Sequence, residues 1–541
     1  MPTSTRWPES RAPRGMVASP HLLASHSGVA ALRAGGNALD AAIAAAATIA
    51  VVYPHMNGLG GDNVWLIHDA GRRALRALCG AGRSARAASI PWYADRGVSA
   101  AIPSRGGLAA LTVPGVVDGW WEAHEYSRRS MGSPLGWRDL LADAIAYARE
   151  GFAASDGQRT PPPREPDLFG ADAPAEIRRG LWPLYHPDAL ARGPLVQADL
   201  ARTLETVAGG GREAFYRGDL ARRIIRAAAD AGSPLSTEDF AEHRSEWMEP
   251  LTLPCGGGIA ASVPPPTQGM SALAILALSE AFDMGALPES DYVHVLVEAA
   301  KLAFADRDRF LTDPAFMRIA PGELLAPERL RRLAGRISRT RAMVPAEARA
   351  AAGDTIAIVT ADRAGNAVSM IQSLYFTWGS ALVAGDTGVV LQNRGSFFSL
   401  DPAAANALAP AKRTMHTLIP SMYLVGGRAR FVYGTMGGEG QPQTQAAIVT
   451  RRLHRGLGPQ AAVEAPRWLY GRTWGTPSRA LALEGRYTAE VARDLAARGH
   501  EVQVAGDWDD LFGHAQCIWL DPEGGLIGGS DPRADGGALG F

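Results

Sequence analysis

The dipeptide Asp354-Thr355 offers the most reactive arrangement in the chain. Residues 336–353 before it are rich in Ala and Arg with little apolar pattern, whereas Ile356, Ile358 and Val359 after it favour a strand. A hydroxyl residue therefore stands where a loose segment meets a buried strand. Inside an intact chain the Thr355 nitrogen is an amide and has no basicity. Breaking the bond after Asp354 would free an α-amine with a pKa of about 7.7–8.0, partly neutral at pH 7. That amine sits beside its own hydroxyl, so one residue would supply nucleophile and general base for acyl transfer. The β-methyl of threonine restricts χ1 and helps hold Oγ in one direction. Taken alone, the same dipeptide also fits a threonine that merely begins a strand. Acyl transfer further needs donors for an oxyanion. Gly437 and Gly438 are candidates, because adjacent glycines let backbone N–H groups converge on a substrate without Cβ clashes. A plain turn is the alternative for that pair.

The elements around these residues read as follows. Residues 356–375 form two β-rich runs joined by a turn, with Asp362 and Gly365-Asn366 supplying the turn chemistry. Gly434 to Gly440 precedes Pro442, a residue suited to a first helical turn, and the helical run Ala446 to Leu453. In the N-terminal half, Gly15 to Ser19 is extended, and Ala24–Arg33 and Ala38–Val52 are helical around Gly35-Gly36-Asn37, a C-cap pair and an N-cap. Asn63 to His68 is a strand. Further helices are predicted over Leu140–Glu150, Leu220–Ala231 and Ser290–Phe310. Residues 157–175 are a Pro-, Gly- and Asp-rich exposed loop. Strands are expected around 418–424 and 429–434. Gly58-Leu59-Gly60-Gly61 lacks a following Lys-Ser/Thr pair and matches no dinucleotide fingerprint, so a tight turn is expected. Trp120-Trp121 reads as core packing rather than a stacking platform.

Several segments together resemble the γ-glutamyltranspeptidase family of N-terminal-nucleophile hydrolases. They are Gly15-Met16-Val17-Ala18, Gly35 to Ala42, Pro54 to Gly61, Thr355 to Asn366, Gly385 to Asn393, Lys412-Arg413, Gly434 to Gly438 and Ser530 to Arg533. Their order and spacing cover nearly the whole chain. The resemblance implies an α/β (α+β) fold, a four-layer αββα sandwich, and one precursor cut between Asp354 and Thr355. The products would be a large piece, 1–354, ending in a flexible segment 336–354, and a small piece, 355–541, that stay together. It implies Thr355 as nucleophile and Gly437 and Gly438 as the oxyanion hole. Ser373 falls where the family has a threonine that contacts the nucleophile, and a serine hydroxyl can replace it.

The substrate pocket departs from the family. Gly82 stands where the family has an arginine for the α-carboxylate of a γ-glutamyl group, with Arg83 one step along. Arg394 and Phe397 occupy the positions of the acids that bind its α-amine. Tyr375 replaces an asparagine, and His416-Thr417 replaces a serine pair. Arg394 would repel an ammonium group and suit an anionic or carbonyl-rich acyl group; a structural salt bridge is the other use for it. His416 is expected to line the pocket or hydrogen-bond a substrate, since the amine serves as base. Asp531 and Arg533 read as a buried structural pair.

Composition narrows the classes. Charge is balanced, 54 Lys plus Arg against 55 Asp plus Glu, so no nucleic-acid or membrane partner is expected. The three cysteines form no CxxC pair and are expected to be free and mostly buried. The 12 histidines show no HExxH or clustered metal spacing, so no metal or other cofactor is called for. Met1 to Ser10 contains no apolar stretch of signal type, which points to the cytoplasm. Ala41 to Val52 is too short to span a bilayer. The expectation is an autoprocessing amide hydrolase or acyltransferase acting on a small molecule. A hydrolase of C–C bonds next to a carbonyl, and an unprocessed binding scaffold, are the alternatives.

Overall fold

A computed structural model describes residues 5–159, 168–170, 173–344, 354–471 and 478–541. Its first sheet is built on three long strands, β1 (Asp62–Asp69), β2 (Asp354–Asp362) and β3 (Ala367–Tyr375). β3 pairs antiparallel with both β1 and β2. Gly15–Ser19 and then Gly537–Gly540 extend the sheet on the β2 side, and Ala74–Cys79 and Glu246–Met248 on the β1 side. In the second sheet β4 (Arg428–Thr435) is flanked by Ala515–Leu520, Leu526–Ser530 and Ser10–Ala12 on one side. Ser421–Val425, Gly258–Ser262 and Leu251–Cys255 lie on the other.

The period of two along these strands sorts their side chains between two faces. Val64, Leu66, Ala357, Val359 and Ile371 meet Ala261, Met422, Val432 and Ile518 of the second sheet. Trp65, Ile67, Ile356, Ile358, Val368 and Met370 face the helical layer that includes α1 (Ala38–Val52). All of α1 is buried, which its run of alanines permits by letting neighbours approach closely. Asn37 caps it, accepting from the Leu39 and Asp40 amides at 2.8 and 3.2 Å, while Asp40 answers back to the Asn37 amide. The outer face of the second sheet, with Ala260, Phe431, Tyr433 and Cys517, packs on three helices: α2 (Gly269–Ser279), α3 (Glu289–Phe310) and α4 (Gln441–Leu453). The architecture is the expected αββα sandwich.

Local signals placed these elements well. The helix Leu22–Arg33, α1, the strands β1 to β4, α3 and α4 agree with expectation to within a few residues. Trp120 is fully buried, and Trp121 packs edge-on to Trp137. Much of the 157–175 loop lies outside the described residues, as do 345–353. Residues 338–343, expected to be loose, are tied to α3. The His294 imidazole donates to the Ser338 carbonyl at 2.7 Å, Lys301 donates to the Met343 carbonyl at 2.9 Å, and the Met343 amide donates to Glu298 at 2.8 Å. The sequence pattern hid this because the contacts are to backbone groups, which carry no residue signature. β2 is flanked on both sides, by Gly15–Ser19 and by β3, so it is locked into the sheet from either edge.

Near the C-terminus Asp531 and Arg533 form the expected buried pair at 2.9 Å, joined by Arg467, and the Ala515 amide donates to Asp531 at 2.7 Å. Burial alone would raise the Asp531 carboxyl, but Arg467 and Arg533 hold it down at about 2. Its contribution to stability is therefore complete above the unfolded carboxylate range, near ~3.9, and is lost as pH falls through about 2. Asp531→Asn leaves the buried Arg467 guanidinium without its acid, while Arg533 keeps Glu484 at 2.7 Å, and should cost about 3–5 kcal/mol in chemical denaturation at pH 7.

Candidate active site

Thr355 lies at an irregularity in the β2–β3 ladder, where register shifts between Asp354 and Ile356. Two steps along β2 face three along β3, so the extra residue lies on β3, opposite Thr355. Thr355 is fully buried, and its hydroxyl donates to Ser373 Oγ at 3.3 Å. Ser373 Oγ in turn accepts from the Tyr375 amide at 2.7 Å. Ser373 shares a strand face with Ile371, so it points between the two sheets. Tyr375 takes φ 86°, followed by Trp378 at 63° and Ala381 at 58°, so the loop leaving β3 holds three non-glycine residues in the left-handed region.

Asp62 opens β1 on the same inter-sheet face and is paired in register with Ser373. Its buried carboxylate is a hub. Oδ1 accepts from the Gly82 amide at 3.0 Å, the Gly115 amide at 3.2 Å and the Gln392 side chain at 3.0 Å, and Oδ2 lies 3.1 Å from His416 Nε2. The Leu418 amide donates to His416 Nδ1 at 3.4 Å. Nε2 must then carry the proton and donate to Asp62, leaving a neutral imidazole. Burial lowers the His416 pKa to about 4, Arg394 pushes the same way, and Asp62 opposes. His416 is thus a fixed hydrogen-bonding strut at neutral pH.

Arg394 is the unusual group. It is 1% exposed, and its guanidinium lies 3.8 Å from the centroid of the Tyr375 ring. Nη2 donates to Thr417 Oγ1 at 3.1 Å, while Nε and Nη1 have no partner among the described residues. Among the described residues no carboxylate forms an ion pair with it. Burial lowers its pKa to about 10, with Asp62 and Glu439 among the groups that oppose this, so it stays charged. Phe397 meets the Tyr375 ring edge-on at 5.8 Å between centroids. Tyr375, Phe397, His416 and Thr417 therefore lie in one cluster with Arg394.

Arg83 does not join them. It pairs with Asp313 and Glu246, each at 3.1 Å, and donates to the Ala411 carbonyl at 3.2 Å. Its neighbour cannot replace it. A Cβ at Gly82 would lie 1.6 Å from the Val113 carbonyl oxygen, so no side chain fits there on this backbone.

Gly437 and Gly438 follow β4 with φ values of 127° and 51°, which glycine adopts without strain. Among the described residues no acceptor takes either N–H. The loop is held from outside them: the Met436 amide donates to the His514 carbonyl and the Gly440 amide to the Gly437 carbonyl. The Gln268 side chain donates to the Gly438 carbonyl at 2.9 Å and the Thr417 carbonyl at 3.2 Å, and accepts from Arg307 at 3.2 Å. Gln268 thus joins the glycine loop to the Arg394 cluster. Sequence reasoning gave no role to Asp62 or Gln268, although a carboxylate just before the apolar run Val64 to Ile67 was a usable signal. The arrangement offers a buried hydroxyl opposite a bulge, amide donors without an acceptor among the described residues and a buried cation, a set that includes the groups acyl transfer from an amide needs.

The neutral state of His416 has a measurable consequence. Between about pH 6.5 and 4 the unfolded chain takes up a proton here that the folded chain refuses, so stability falls as pH drops through that window. Heteronuclear NMR of histidine-labelled protein should show one imidazole in the Nε2–H form from pH 8 down to 5. Titration of His416 near its ordinary value would overturn the assignment.

Three comparisons bear on this geometry. The Gamma-glutamyltranspeptidase family model matches residues 24–541. The chain is 45% identical over 532 residues to the Glutathione hydrolase-like YwrD proenzyme of Bacillus subtilis (strain 168), covering 97% of this chain and 98% of that one. It is 43% identical over 529 residues to the Oxamate amidohydrolase proenzyme of Klebsiella pneumoniae, with the same coverage of 97% and 98%. Among solved structures, cephalosporin acylase from Bacillus halodurans superposes with a TM-score of 0.89 at 34% identity, covering 100% of this chain and 99% of that one. The fold, the order of the motifs and these matches agree: the chain belongs to the γ-glutamyltranspeptidase family.

Proposed function

We propose that this protein is a self-processing amide hydrolase whose acyl substrate carries a carboxylate that pairs with Arg394. The observation that carries the reading is the buried Arg394 guanidinium, with two nitrogens unpartnered and no acid paired to it among the described residues. A buried cation left in this state is costly unless an anion completes it. The relatives support the reading. They are named as proenzymes, and one is named for oxamate, an amide whose acyl carbon bears a carboxylate directly.

In maturation, Thr355 Oγ attacks the Asp354 carbonyl carbon. The bond to the Thr355 nitrogen breaks, an ester forms, and water hydrolyses it. The freed amine then takes the Oγ proton while Oγ attacks the substrate amide. The oxyanion is held by the Gly437 and Gly438 amides, and the amine returns the proton to the departing nitrogen. Water, or an acceptor amine, releases the acyl group by the same steps in reverse order. Ser373 orients the nucleophile through its 3.3 Å contact. Tyr375, Phe397 and Thr417 fix the guanidinium, and His416 braces Thr417 from Asp62. An α-ammonium group, as in a γ-glutamyl substrate, would meet the Arg394 charge at close range.

Purified protein should run as two pieces on a denaturing gel, with Thr355 as a new N-terminus. Thr355→Ala should remain one inactive chain, and surviving turnover in it would remove Thr355 from its role. A single uncut yet competent wild-type chain would overturn the processing scheme. Short amides of oxo- or carboxy-acyl groups should be hydrolysed well above γ-glutamyl anilides. Arg394→Met should lower kcat/KM for them by about 2–5 kcal/mol, mostly through KM. Efficient γ-glutamyl turnover, or an unaffected Arg394→Met, would overturn the carboxylate assignment.

A further inference from the structure

A second cluster of chemically active side chains lies away from the Arg394 group, on the outer side of the second sheet. Cys255 ends the strand Leu251–Cys255, Glu280 is the C-cap of α2 and His454 is the C-cap of α4. Their Sγ, carboxylate and imidazole ligand atoms all lie within 4.8 Å of one another. Cys255 Sγ is 3.4 Å from Glu280 Oε1, and His454 Nε2 is 2.8 Å from the same oxygen. His454 Nε2 is shielded from solvent, and Glu280 is its one close polar neighbour among the described residues. Three ligand-type atoms brought this close from the ends of three separate elements are placed as ligands of a common ion are placed.

We infer that Cys255, Glu280 and His454 form a binding site for a zinc ion. Thiolate, imidazole and carboxylate are the ligand types zinc prefers. Bond lengths of about 2.3 Å to sulfur and 2.0–2.2 Å to nitrogen and oxygen put tetrahedral S and O ligands about 3.6 Å apart, and N and O ligands about 3.4 Å apart. The sulfur–oxygen spacing already fits, and the nitrogen–oxygen spacing needs about 0.6 Å of opening. Glu280 is exposed and can give it by pivoting about the Gly256 amide, which donates to its other oxygen at 3.0 Å, and its exposure leaves the fourth position to solvent. Binding takes the thiol proton from Cys255 and releases it to water, leaving a thiolate on the metal. Without a cation, burial and the neighbouring Glu280 push the Cys255 thiol pKa up, so the metal is what makes the thiolate available. The other His and Glu cluster, His294, Glu298 and His500, differs. The His294 nitrogens are taken by His500 and the Ser338 carbonyl, and Glu298 by Lys301 and the Met343 amide.

The position gives the ion a purpose. α2 begins just after Gln268, which holds the Gly438 carbonyl, and α4 begins just after the Gly437–Gly440 turn. The metal staples the far ends of the two helices whose near ends shape the glycine loop. Metal-stripped full-length protein titrated with Co²⁺ should develop a near-ultraviolet thiolate-to-cobalt band and the visible bands of a four-coordinate ion, both bleached by Zn²⁺. Cys255→Ser should lose the thiolate band, while Cys79→Ser and Cys517→Ser keep it. Glu280→Ala, at an exposed position, should fold normally and bind Co²⁺ at least tenfold more weakly. Zn²⁺ should raise the melting temperature of the wild type and not of Cys255→Ser. Absence of the band, or its persistence in Cys255→Ser, would overturn the site.

Discussion

A carboxylate buried between two sheets holds the candidate site together. Asp62 has no access to water, so each of its lone pairs must be met from within the protein. The donors come from four separate segments: the Gly82 and Gly115 amides, the Gln392 side chain and His416. Meeting that requirement brings the loop at 80–84 against the one at 113–115. It also brings Gln392, two residues before Arg394, to the place where His416 and Thr417 arrive from the other sheet. The cost of leaving a buried acid unsatisfied is large, so these loops have little freedom to move apart. The Arg394 cluster inherits its geometry from this arrangement rather than from any one secondary element.

Arg394 and Asp62 are opposite charges in one low-dielectric space, yet they do not pair directly. His416 stands on the Asp62 side and Thr417 on the Arg394 side, each with a short hydrogen bond. The acid is spent on neutral donors and the base keeps unused ones. A direct pair would have quenched both. The separation leaves an unneutralised positive charge beside Thr417, and Tyr375 shields one face of the cation.

Much of this was readable from short-range pattern, and the limits are equally physical. α1 was legible to the residue because its cap, Asn37 with Asp40, and its apolar run are adjacent in sequence. β2 and β3 were legible because alternation and a turn specify a hairpin locally. The Arg394 neighbours emerged through family resemblance, position by position. Asp62 did not, since its donors lie far away in sequence and include two backbone amides. Arg83 stands one step from the family's arginine position, but Asp313 and Glu246, which pair with it, are distant and left no local mark. Cys255, Glu280 and His454 escaped for the same reason: a search for close spacing cannot see ligands delivered by the ends of three different elements. Residues 338–343 read as loose because their anchors on α3 grip backbone atoms.

The contact between Gly82 and the Val113 carbonyl bears on how selectivity can drift over evolutionary time. Any replacement of that glycine collides with main chain, which cannot swing aside as a side chain would. An arginine there is therefore inaccessible by a single codon change on this backbone. Admitting it would require the 113–115 segment to retreat first, and that segment is fastened to Asp62 through Gly115. Position 82 is thus closed to side-chain substitution until a second, main-chain change has opened it.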